Sequence, residues 1–262
     1  MEKFLEGKGA IITGAASGFG RGDAIRFAEL GANLVLADVN MEKLEETEKL
    51  VKEKGAEVLI KKCDVTSWEE VRNLAKEAFA TFDNIYVLVN NAGVGLDFKS
   101  IIAGSEDIWD KTFNINLKGQ WLVAKAFYRK MKMQKFEPLA GKMINMASIA
   151  GVKIDPYIPI YSLSKMGVIG LTELLAAQLA PKITVNCVSP GYHVTGIYNW
   201  DEKIMVGTME AGGVKTLLDR IGTIEDIVKV VEFLASPASD FITGQNFVVD
   251  GGIVSGGVPS HL

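Results

Sequence analysis

The sequence is poor in the two side chains that build disulfide frameworks and many metal sites. Its 262 residues include two cysteines, Cys63 and Cys187, and two histidines, His193 and His261. Each cysteine lies in an apolar, strand-like run, which is typical of a reduced and buried thiol. A disulfide-stapled domain would need more cysteines and an oxidising compartment. The two histidines stand far apart in the chain, so we predict no metal site.

Long apolar runs and blocks of like charge are also absent. No run of about 18 consecutive apolar residues occurs, so no membrane span is expected, and Met1–Glu6 is too polar for a signal peptide. The formal net charge is −4 and the pI about 5.4. Without a basic block, the chain lacks the electrostatic footprint of a nucleic-acid binder. We therefore expect a cytoplasmic protein that binds neither nucleic acid nor membrane.

What the sequence does contain is a regular alternation of short apolar runs and helix-like segments. The apolar runs predict strands at Gly9–Thr13, Asn33–Ala37, from Glu57–Ile60, and at Ile85–Val89, Lys142–Met146, Ile183–Val188 and Asn246–Val249. Segments with helical spacing predict helices at Gly18–Leu30, Met41–Lys54, Glu69–Phe82, Glu106–Met133, Tyr161–Ala180 and Ile224–Leu234. Gly31 and Gly55 follow two of these helices as stop signals.

This alternation predicts the fold. Nearly continuous apolar strands separated by helices indicate a parallel sheet covered on both faces, and right-handed crossovers then give a doubly wound, Rossmann-type sheet of about seven strands. With 48% hydrophobic residues, positions 1–262 suit a single α/β domain. The glycine-rich stretch at about 191–220 breaks the alternation, which favours a substrate lid over a plain surface loop.

A glycine-rich turn joins the first predicted strand to the first helix. Thr13–Gly20 contains three glycines, which allow a tight turn and a close approach of the backbone to a pyrophosphate. The free N–H groups at the start of the next helix attract an anion. The spacing alone is a weak signal, but its place in a strand–turn–helix unit is typical of dinucleotide binding. The predicted cofactor residues here are Gly14, Ser17, Gly18, Phe19 and Gly20.

Asp38 ends the second predicted strand, 18 residues after Gly20. A carboxylate there can accept hydrogen bonds from both adenosine ribose hydroxyls and would repel a 2′-phosphate. Ser17 brings no positive charge to meet such a phosphate. Both features favour NAD(H) over NADP(H). An aspartate at a strand end is also a common turn residue.

Two further segments close neighbouring strands. Asp64 and Val65 end the third strand, where Asp64 could meet the adenine amino group, and Asn91, Ala92 and Gly93 follow the fourth. Ligands of open α/β sheets bind at the carboxyl ends of strands. We therefore add these five residues to the predicted cofactor site.

Ser148, Tyr161 and Lys165 form the predicted catalytic group. Tyr161 and Lys165 are one helical turn apart, so they share a helix face. A lysine ammonium favours tyrosinate, and such a tyrosine can act as general acid in ketone reduction and general base in alcohol oxidation. Ser148 can donate a hydrogen bond to the substrate oxygen. A second Tyr-x-x-x-Lys pair, at Tyr128, lies mid-helix and is interpreted as packing.

Together these residues resemble the short-chain dehydrogenase/reductase family over nearly the whole chain. The motifs stand in family order at Thr13–Gly20, Asp64, Asn90–Gly93, Asn116, Ser148, Tyr161, Lys165, Pro190, Gly191, Thr195 and Asp250–Gly252. The resemblance implies that Asn116 bends its helix and presents a carbonyl to a water beside Lys165. It thereby adds Asn116 to the predicted catalytic residues. It also implies that Lys165 holds the nicotinamide ribose, that Thr195 and the backbone near Gly191 hold the carboxamide with Pro190 among the cofactor residues, and that the chain is a homo-oligomer, with a tetramer favoured over a dimer.

Three residues depart from the family pattern. Asp23 stands where an apolar residue is usual, Phe19 replaces a common isoleucine, and His193 replaces a small apolar residue. We interpret His193 either as a substrate-binding residue or as pocket lining. Aromatic and apolar residues of the 191–220 segment and of the loop after Ser148 favour a mostly apolar substrate pocket. Sugars, polyols, hydroxy acids, steroids and simple alcohols all stay open as substrates.

We therefore predict an NAD-dependent oxidoreductase that acts on a secondary alcohol or ketone. An NADPH-dependent carbonyl reductase is an alternative that Asp38 opposes. A non-catalytic NAD-binding regulator is a second alternative, since a fold does not fix a function. An acyl-carrier ketoreductase is disfavoured, because Ala176-Ala177-Gln178 lacks the second basic residue expected beside Arg129.

Overall fold

The computed structural model describes residues 3–95, 100–193 and 216–256. In these ranges seven parallel strands form one sheet in the order β3-β2-β1-β4-β5-β6-β7. The strands are β1 Gly9–Thr13, β2 Asn33–Asp38, β3 Val58–Lys62, β4 Val87–Asn90, β5 Gly141–Met146, β6 Ile183–Pro190 and β7 Asn246–Val249. The predicted single-domain, doubly wound α/β fold is thus confirmed. The central strands are buried along their whole length, as strands covered on both faces must be.

Helices cover both faces of this sheet. They are α1 Gly18–Glu29, α2 Met41–Glu53, α3 Trp68–Thr81, α4 Glu106–Phe113, α5 Gln120–Lys132, α6 Ile149–Val152, α7 Pro159–Leu179, α8 Ile224–Ala235 and α9 Ile253–Gly256. Buried side chains of α1, α2 and α8 form one core with alternate residues of the strands. Those of α3, α5 and α7 form a second core with the other set. The alternation of strand side chains between two faces therefore divides the apolar residues into two layers.

Local signals set most helix ends. The side chains of Asn40, Ser67 and Ser105 cap α2, α3 and α4 by accepting a backbone N–H, and Thr223 begins a capping box at α8. Gly31 and Gly55 adopt positive φ angles of 89° and 87°. The predicted stop signals after α1 and α2 are therefore confirmed, because such φ angles favour glycine.

One predicted helix is interrupted. The spacing of apolar residues predicts one long helical stretch over Glu106–Met133, but a π-helical turn at Asn114–Gly119 separates α4 from α5 and contains Asn116, where the family resemblance implies a bend. The periodicity of apolar residues did not reveal this turn, because one widened turn changes the spacing only slightly. Helix α7 also differs from the prediction, because it begins at Pro159, two residues before the predicted start at Tyr161. Proline is favoured in the first turn of a helix.

Helix α7 is the one described helix that is long and apolar enough to cross a membrane by length and composition. Its buried side chains include Val168, Thr172 and Ala176, and it packs along β6. A core helix of a globular domain meets the same criteria, so this feature by itself is weak evidence for a membrane span. Most of the predicted lid, residues 194–215, lies outside the described residues.

Candidate active site

A cavity of about 580 Å³ opens at the carboxyl ends of the central strands. Thr13 of β1 lies opposite Asn90 of β4, and the strand order reverses between these two strands. Open α/β sheets bind their ligands at such a switch point. The predicted site residues that line the cavity are Gly14, Ser17, Gly18, Phe19, Asp38, Asn91, Ala92, Gly93, Ser148, Tyr161, Lys165, Pro190, Gly191 and His193.

Ser148, Tyr161 and Lys165 meet in one part of this cavity. Ser148 follows β5, and its Oγ accepts the N–H of Ala150 at 3.2 Å, which caps α6. Tyr161 lies in the first turn of α7, and the ammonium nitrogen of Lys165 is 5.7 Å from the centre of its ring. Gly151 allows α6 to lie directly on α7, since a Cβ there would be 2.6 Å from the carbonyl carbon of Lys165.

Lys165 is 2% exposed, and its ammonium donates a 2.8 Å hydrogen bond to the carbonyl oxygen of Met146 at the end of β5. Burial lowers the pKa of Lys165 to about 8, because a charged amine loses hydration inside the protein. Next to Tyr161, this partly desolvated ammonium favours ionisation of the phenol. The arrangement can therefore support proton transfer at the phenol oxygen.

Asn116 lies in the π-helical turn, is buried, and does not line the cavity. Its amide oxygen accepts the N–H of Val94 at 2.8 Å, and its amide nitrogen donates to the carbonyl of Val94 at 2.9 Å and to Ser164 Oγ at 3.1 Å. The side chain thus ties the segment after β4 to α7. A Cβ on Gly93 would be 3.3 Å from Asn116 Oδ1 and 3.4 Å from Lys165 Nζ. Because Gly93 has no side chain, the space between its backbone and these two polar groups stays open.

The glycine turn has the shape of a phosphate cradle. Gly14 and Gly18 adopt φ angles of 68° and 55°, which favour glycine. A Cβ on Gly14 would lie 2.9 Å from the Cα of Ala92, and one on Gly20 would overlap the carbonyl of Gly14. Ser17 precedes α1 and makes no side-chain cap hydrogen bond, so it does not occupy the first N–H groups of the helix. These groups fit a pyrophosphate.

The end of β4 is fastened to this turn. The Asn91 amide donates to the carbonyls of Thr13 and Gly14 at 3.1 Å and 3.0 Å. In return, the hydroxyl of Thr13 accepts the N–H groups of Asn91 and Ala92 at 3.1 Å and 3.2 Å. These bonds hold the two strand ends on either side of the switch point at a fixed spacing.

Asp38 ends β2, which is three strands away in the sheet from β5, the strand that Ser148 follows. Its Oδ2 accepts the N–H of Ala16 at 3.1 Å, and its Oδ1 accepts the N–H of Asn40 at 2.9 Å. The carboxylate is therefore held in place beside the glycine turn. Among the described residues that line the cavity, the cationic side chains are Lys153, which follows α6, and Lys165 of α7. The Asp38 carboxylate, a hydrogen-bond acceptor, and the glycine turn together fit the adenosine half of a dinucleotide.

Four predicted site residues do not line this cavity: Gly20, Asp64, Val65 and Asn116. The Asp64 carboxylate accepts the N–H of Thr66 at 2.9 Å, and Val65 packs on Gly119. Thr195 lies outside the described residues.

Sequence reasoning missed several residues that line the cavity, among them Val94, Lys153, Asp155, Ile253 and Val254. The sequence did contain a signal for Ile253 and Val254. The Asp250 carboxylate accepts the N–H groups of Gly252 and Val254 at 2.8 Å and 2.7 Å, so the Asp-Gly-Gly sequence marks a turn that returns the chain to the cavity.

Comparison with known proteins gives a consistent set of similarities. A family model described as enoyl-(acyl carrier protein) reductase matches residues 14–254. The chain is 39% identical to a diacetyl reductase, (S)-acetoin forming, of Staphylococcus epidermidis, over 94% of this chain and 98% of that protein. It is 37% identical to a 3-oxoacyl-(acyl-carrier-protein) reductase of Thermotoga maritima, over 95% and 99%.

Solved structures agree with these similarities. A structure of NAD⁺-bound xylitol dehydrogenase superimposes with a TM-score of 0.86 at 35% identity, covering 95% of this chain and 99% of that one. Levodione reductase superimposes with a TM-score of 0.85 at 28% identity, over 95% and 98%. The range that the family model matches, residues 14–254, includes the glycines of the turn and α7.

Proposed function

Because the chain belongs to the short-chain dehydrogenase/reductase family and is an oxidoreductase, we propose that it transfers a hydride between NAD(H) and a secondary alcohol or ketone. The observation that carries this proposal is the shape of one continuous cavity. It has Asp38 and the glycine turn at one end and Ser148, Tyr161 and Lys165 at the other. A dinucleotide lying along it would bring its nicotinamide to Tyr161.

Each side chain at the Tyr161 end has a defined task. When bound, the nicotinamide would supply the hydride for reduction and accept it in oxidation. During reduction, the Tyr161 hydroxyl donates its proton to the carbonyl oxygen of the substrate, and Ser148 stabilises the growing negative charge on that oxygen. In oxidation the tyrosinate takes the hydroxyl proton instead. Lys165 stabilises the tyrosinate and would bind the nicotinamide ribose.

The proposed cofactor is NAD(H) rather than NADP(H). The fixed carboxylate of Asp38 would accept hydrogen bonds from the adenosine ribose hydroxyls, and its charge would repel a 2′-phosphate. Xylitol dehydrogenase, whose structure resembles this chain, was solved with NAD⁺.

The substrate end of the cavity is mostly apolar with charged groups at its rim. Ile154, Pro156 and Ile158 line it together with Tyr192, whose pKa is raised by burial and by the nearby Asp155 carboxylate. The named relatives include a diacetyl reductase and a xylitol dehydrogenase. We therefore propose small ketones and polyols, beginning with diacetyl, acetoin and xylitol, as the first substrates to assay.

Cofactor choice gives the first test. NADH and NADPH are titrated separately into the wild-type chain and the Asp38→Ala variant, with nicotinamide fluorescence as the readout. The wild type should bind NADH at least about tenfold more tightly than NADPH. Asp38 accepts charged hydrogen bonds from the ribose hydroxyls of NADH and repels the 2′-phosphate of NADPH, and one such interaction is worth about 1.5–3 kcal/mol. Asp38→Ala should weaken NADH and lose most of this preference.

The matched control is Asp155→Ala, which removes a carboxylate at the other end of the same cavity and should leave the preference unchanged. Tighter binding of NADPH by the wild type would instead favour the NADPH-dependent reductase. Binding of neither dinucleotide would contradict both the oxidoreductase proposal and the NAD-binding regulator, whereas NADH binding without turnover of any alcohol or ketone would favour the regulator.

We further propose a homo-oligomer, with a tetramer favoured over a dimer, in the cytoplasm. Large apolar side chains stay exposed on α4, α5, α7 and β7 in the single chain, at Trp109, Trp121, Leu174 and Val248, and such surfaces are typical of interfaces. Light scattering should give a multiple of 28.4 kDa, and a monomer mass at micromolar concentration would contradict this proposal.

A further inference from the structure

His193 follows β6, and its ring is enclosed on several sides. The side chain is 5% exposed. Its Nδ1 donates to the carbonyl oxygen of Gly191 at 3.0 Å, since a carbonyl can only accept. A side chain on Gly222 would overlap the ring, so the ring lies directly against the backbone before α8, where Gly222 also forms an isolated bridge with His193.

The ring also contacts Phe19. The two ring centres are 5.5 Å apart at an interplanar angle of 80°, which is the edge-to-face arrangement that aromatic pairs favour. Phe19 belongs to the glycine turn after β1, whereas His193 follows β6. Strands β4 and β5 lie between them in the sheet, a separation of about 14 Å at about 4.8 Å per strand.

This contact therefore spans the carboxyl ends of β4 and β5. Asn91, Ala92 and Gly93 follow β4, and Ser148 follows β5, and all of them line the same cavity. A nicotinamide that reaches from the glycine turn to Tyr161 must cross this span. Both aromatic rings line the cavity as well.

We propose that Phe19 and His193 together form the floor beneath the nicotinamide half of the cofactor, and that His193 positions Phe19 rather than contacting the substrate. The inference rests on the proposed function, because it requires the dinucleotide to lie along the cavity. It replaces the interpretation of His193 as a substrate-binding residue. Phe19 contacts the cofactor, and His193 acts through it as a positioning residue.

The test compares two ligands that differ only in the nicotinamide end. NADH and ADP-ribose are titrated by calorimetry into the wild type, His193→Val, Phe19→Ile and the double variant. His193→Val should weaken NADH about three- to tenfold, the range expected for one aromatic pair, and should leave ADP-ribose within twofold. The double variant should lose no more NADH affinity than Phe19→Ile alone, because the two side chains act as one unit.

A second variant separates the ring from the hydrogen bond. His193→Asn keeps an N–H donor near the position of Nδ1 but removes the ring, so it should behave like His193→Val. Recovery of NADH affinity in His193→Asn would show that the bond to Gly191 matters and the contact with Phe19 does not. Thermal unfolding without ligand checks that each variant folds.

Three results would overturn the inference. One is a rise in KM for the alcohol or ketone with unchanged NADH affinity, which would make His193 a substrate residue. Another is an equal loss of ADP-ribose and NADH, which would indicate general damage to the site. The third is additive losses in the double variant. Failure of the proposed function is distinguishable from all three, because the wild type would then bind neither ligand.

Discussion

At the scale of single residues, the chemistry of the cavity depends on how Lys165 is held. Its ammonium is buried, and the carbonyl of Met146 accepts one of its hydrogens at 2.8 Å. Burial brings its pKa to about 8, so the charged form is favoured below that pH and is progressively lost above it. A charge on Lys165 lowers the cost of ionising Tyr161. Both groups are therefore expected to influence the pH dependence of turnover.

Tyr161→Phe tests the proton transfer. The variant keeps the ring and loses only the hydroxyl, so turnover should fall by at least about 10²-fold while NADH affinity changes little. Steady-state rates and nicotinamide fluorescence measure the two quantities. The matched control is Tyr128→Phe, which alters the other Tyr-x-x-x-Lys pair and should leave the rate unchanged. Activity of Tyr161→Phe within about tenfold of the wild type would refute the assigned role.

At the scale of elements, the site depends on two short helical features that hold strand ends against α7. Helix α6 is one turn long, is capped by Ser148, and lies on the backbone of α7 through Gly151. The π-helical turn places Asn116 where it binds both Val94 and Ser164. Both features connect residues that follow different strands, so a small shift of either would change the distances between the groups in the cavity.

Gly151→Ala tests the contact between α6 and α7. The added methyl group would lie 2.6 Å from the backbone carbon of Lys165 and 2.7 Å from the backbone nitrogen of Met166, so α6 must move away and take Ser148 with it. We expect kcat to fall by up to about 10²-fold, the cost of displacing a reacting group by about 1 Å.

Gly170→Ala is the control for this change. Gly170 also lies on α7, but a Cβ there meets nothing within 4 Å. Alanine should preserve activity and stabilise the helix by about 0.5–1 kcal/mol. Equal activity of the Gly151→Ala and Gly170→Ala variants would show that the close approach of α6 is not required.

At the scale of the whole molecule, one side chain opposes the stability of the core. Asp23 of α1 is fully buried, and neither carboxylate oxygen has a hydrogen-bond partner among the described residues. Burial raises its pKa well above the usual value of 3.8, because a charge without partners loses its hydration. The folded chain therefore keeps the proton of Asp23 at pH values where the unfolded chain releases it.

The sign of the resulting pH dependence follows from proton binding. Above pH 3.8 the folded state holds more protons than the unfolded state, so the contribution of Asp23 to stability falls as pH rises toward its raised folded pKa. Urea unfolding between pH 5 and 8 should show this fall in the wild type and not in Asp23→Asn. The difference between the two chains isolates the group from other titrations.

Asp23→Leu should go further and increase the free energy of unfolding at pH 8 by about 1–3 kcal/mol, the cost of an unsatisfied buried polar group. A loss of stability in Asp23→Leu at both ends of the pH range would mean that the carboxyl is paired in solution.

The sequence by itself determined the elements and the motif residues that depend on local chemistry. Strands β1 and β7 have the predicted bounds, because runs of apolar residues between turn signals are sufficient to mark them. Tyr161 and Lys165 share a face since the helical repeat fixes their spacing. The glycine turn and Asp38 line one cavity because they follow adjacent parallel strands.

The tertiary structure alone decided the contacts between elements that are distant in the chain. The pairing of Phe19 with His193, the bonds of Asn116 and the burial of Asp23 without a partner all depend on which strands are neighbours and how the helices pack over them. Asp64 and Val65 follow β3 as predicted, but they do not line the cavity, so their place in the chain did not determine their surroundings. A local pattern fixes where a side chain lies along its element, whereas its partners are fixed only when the layers pack.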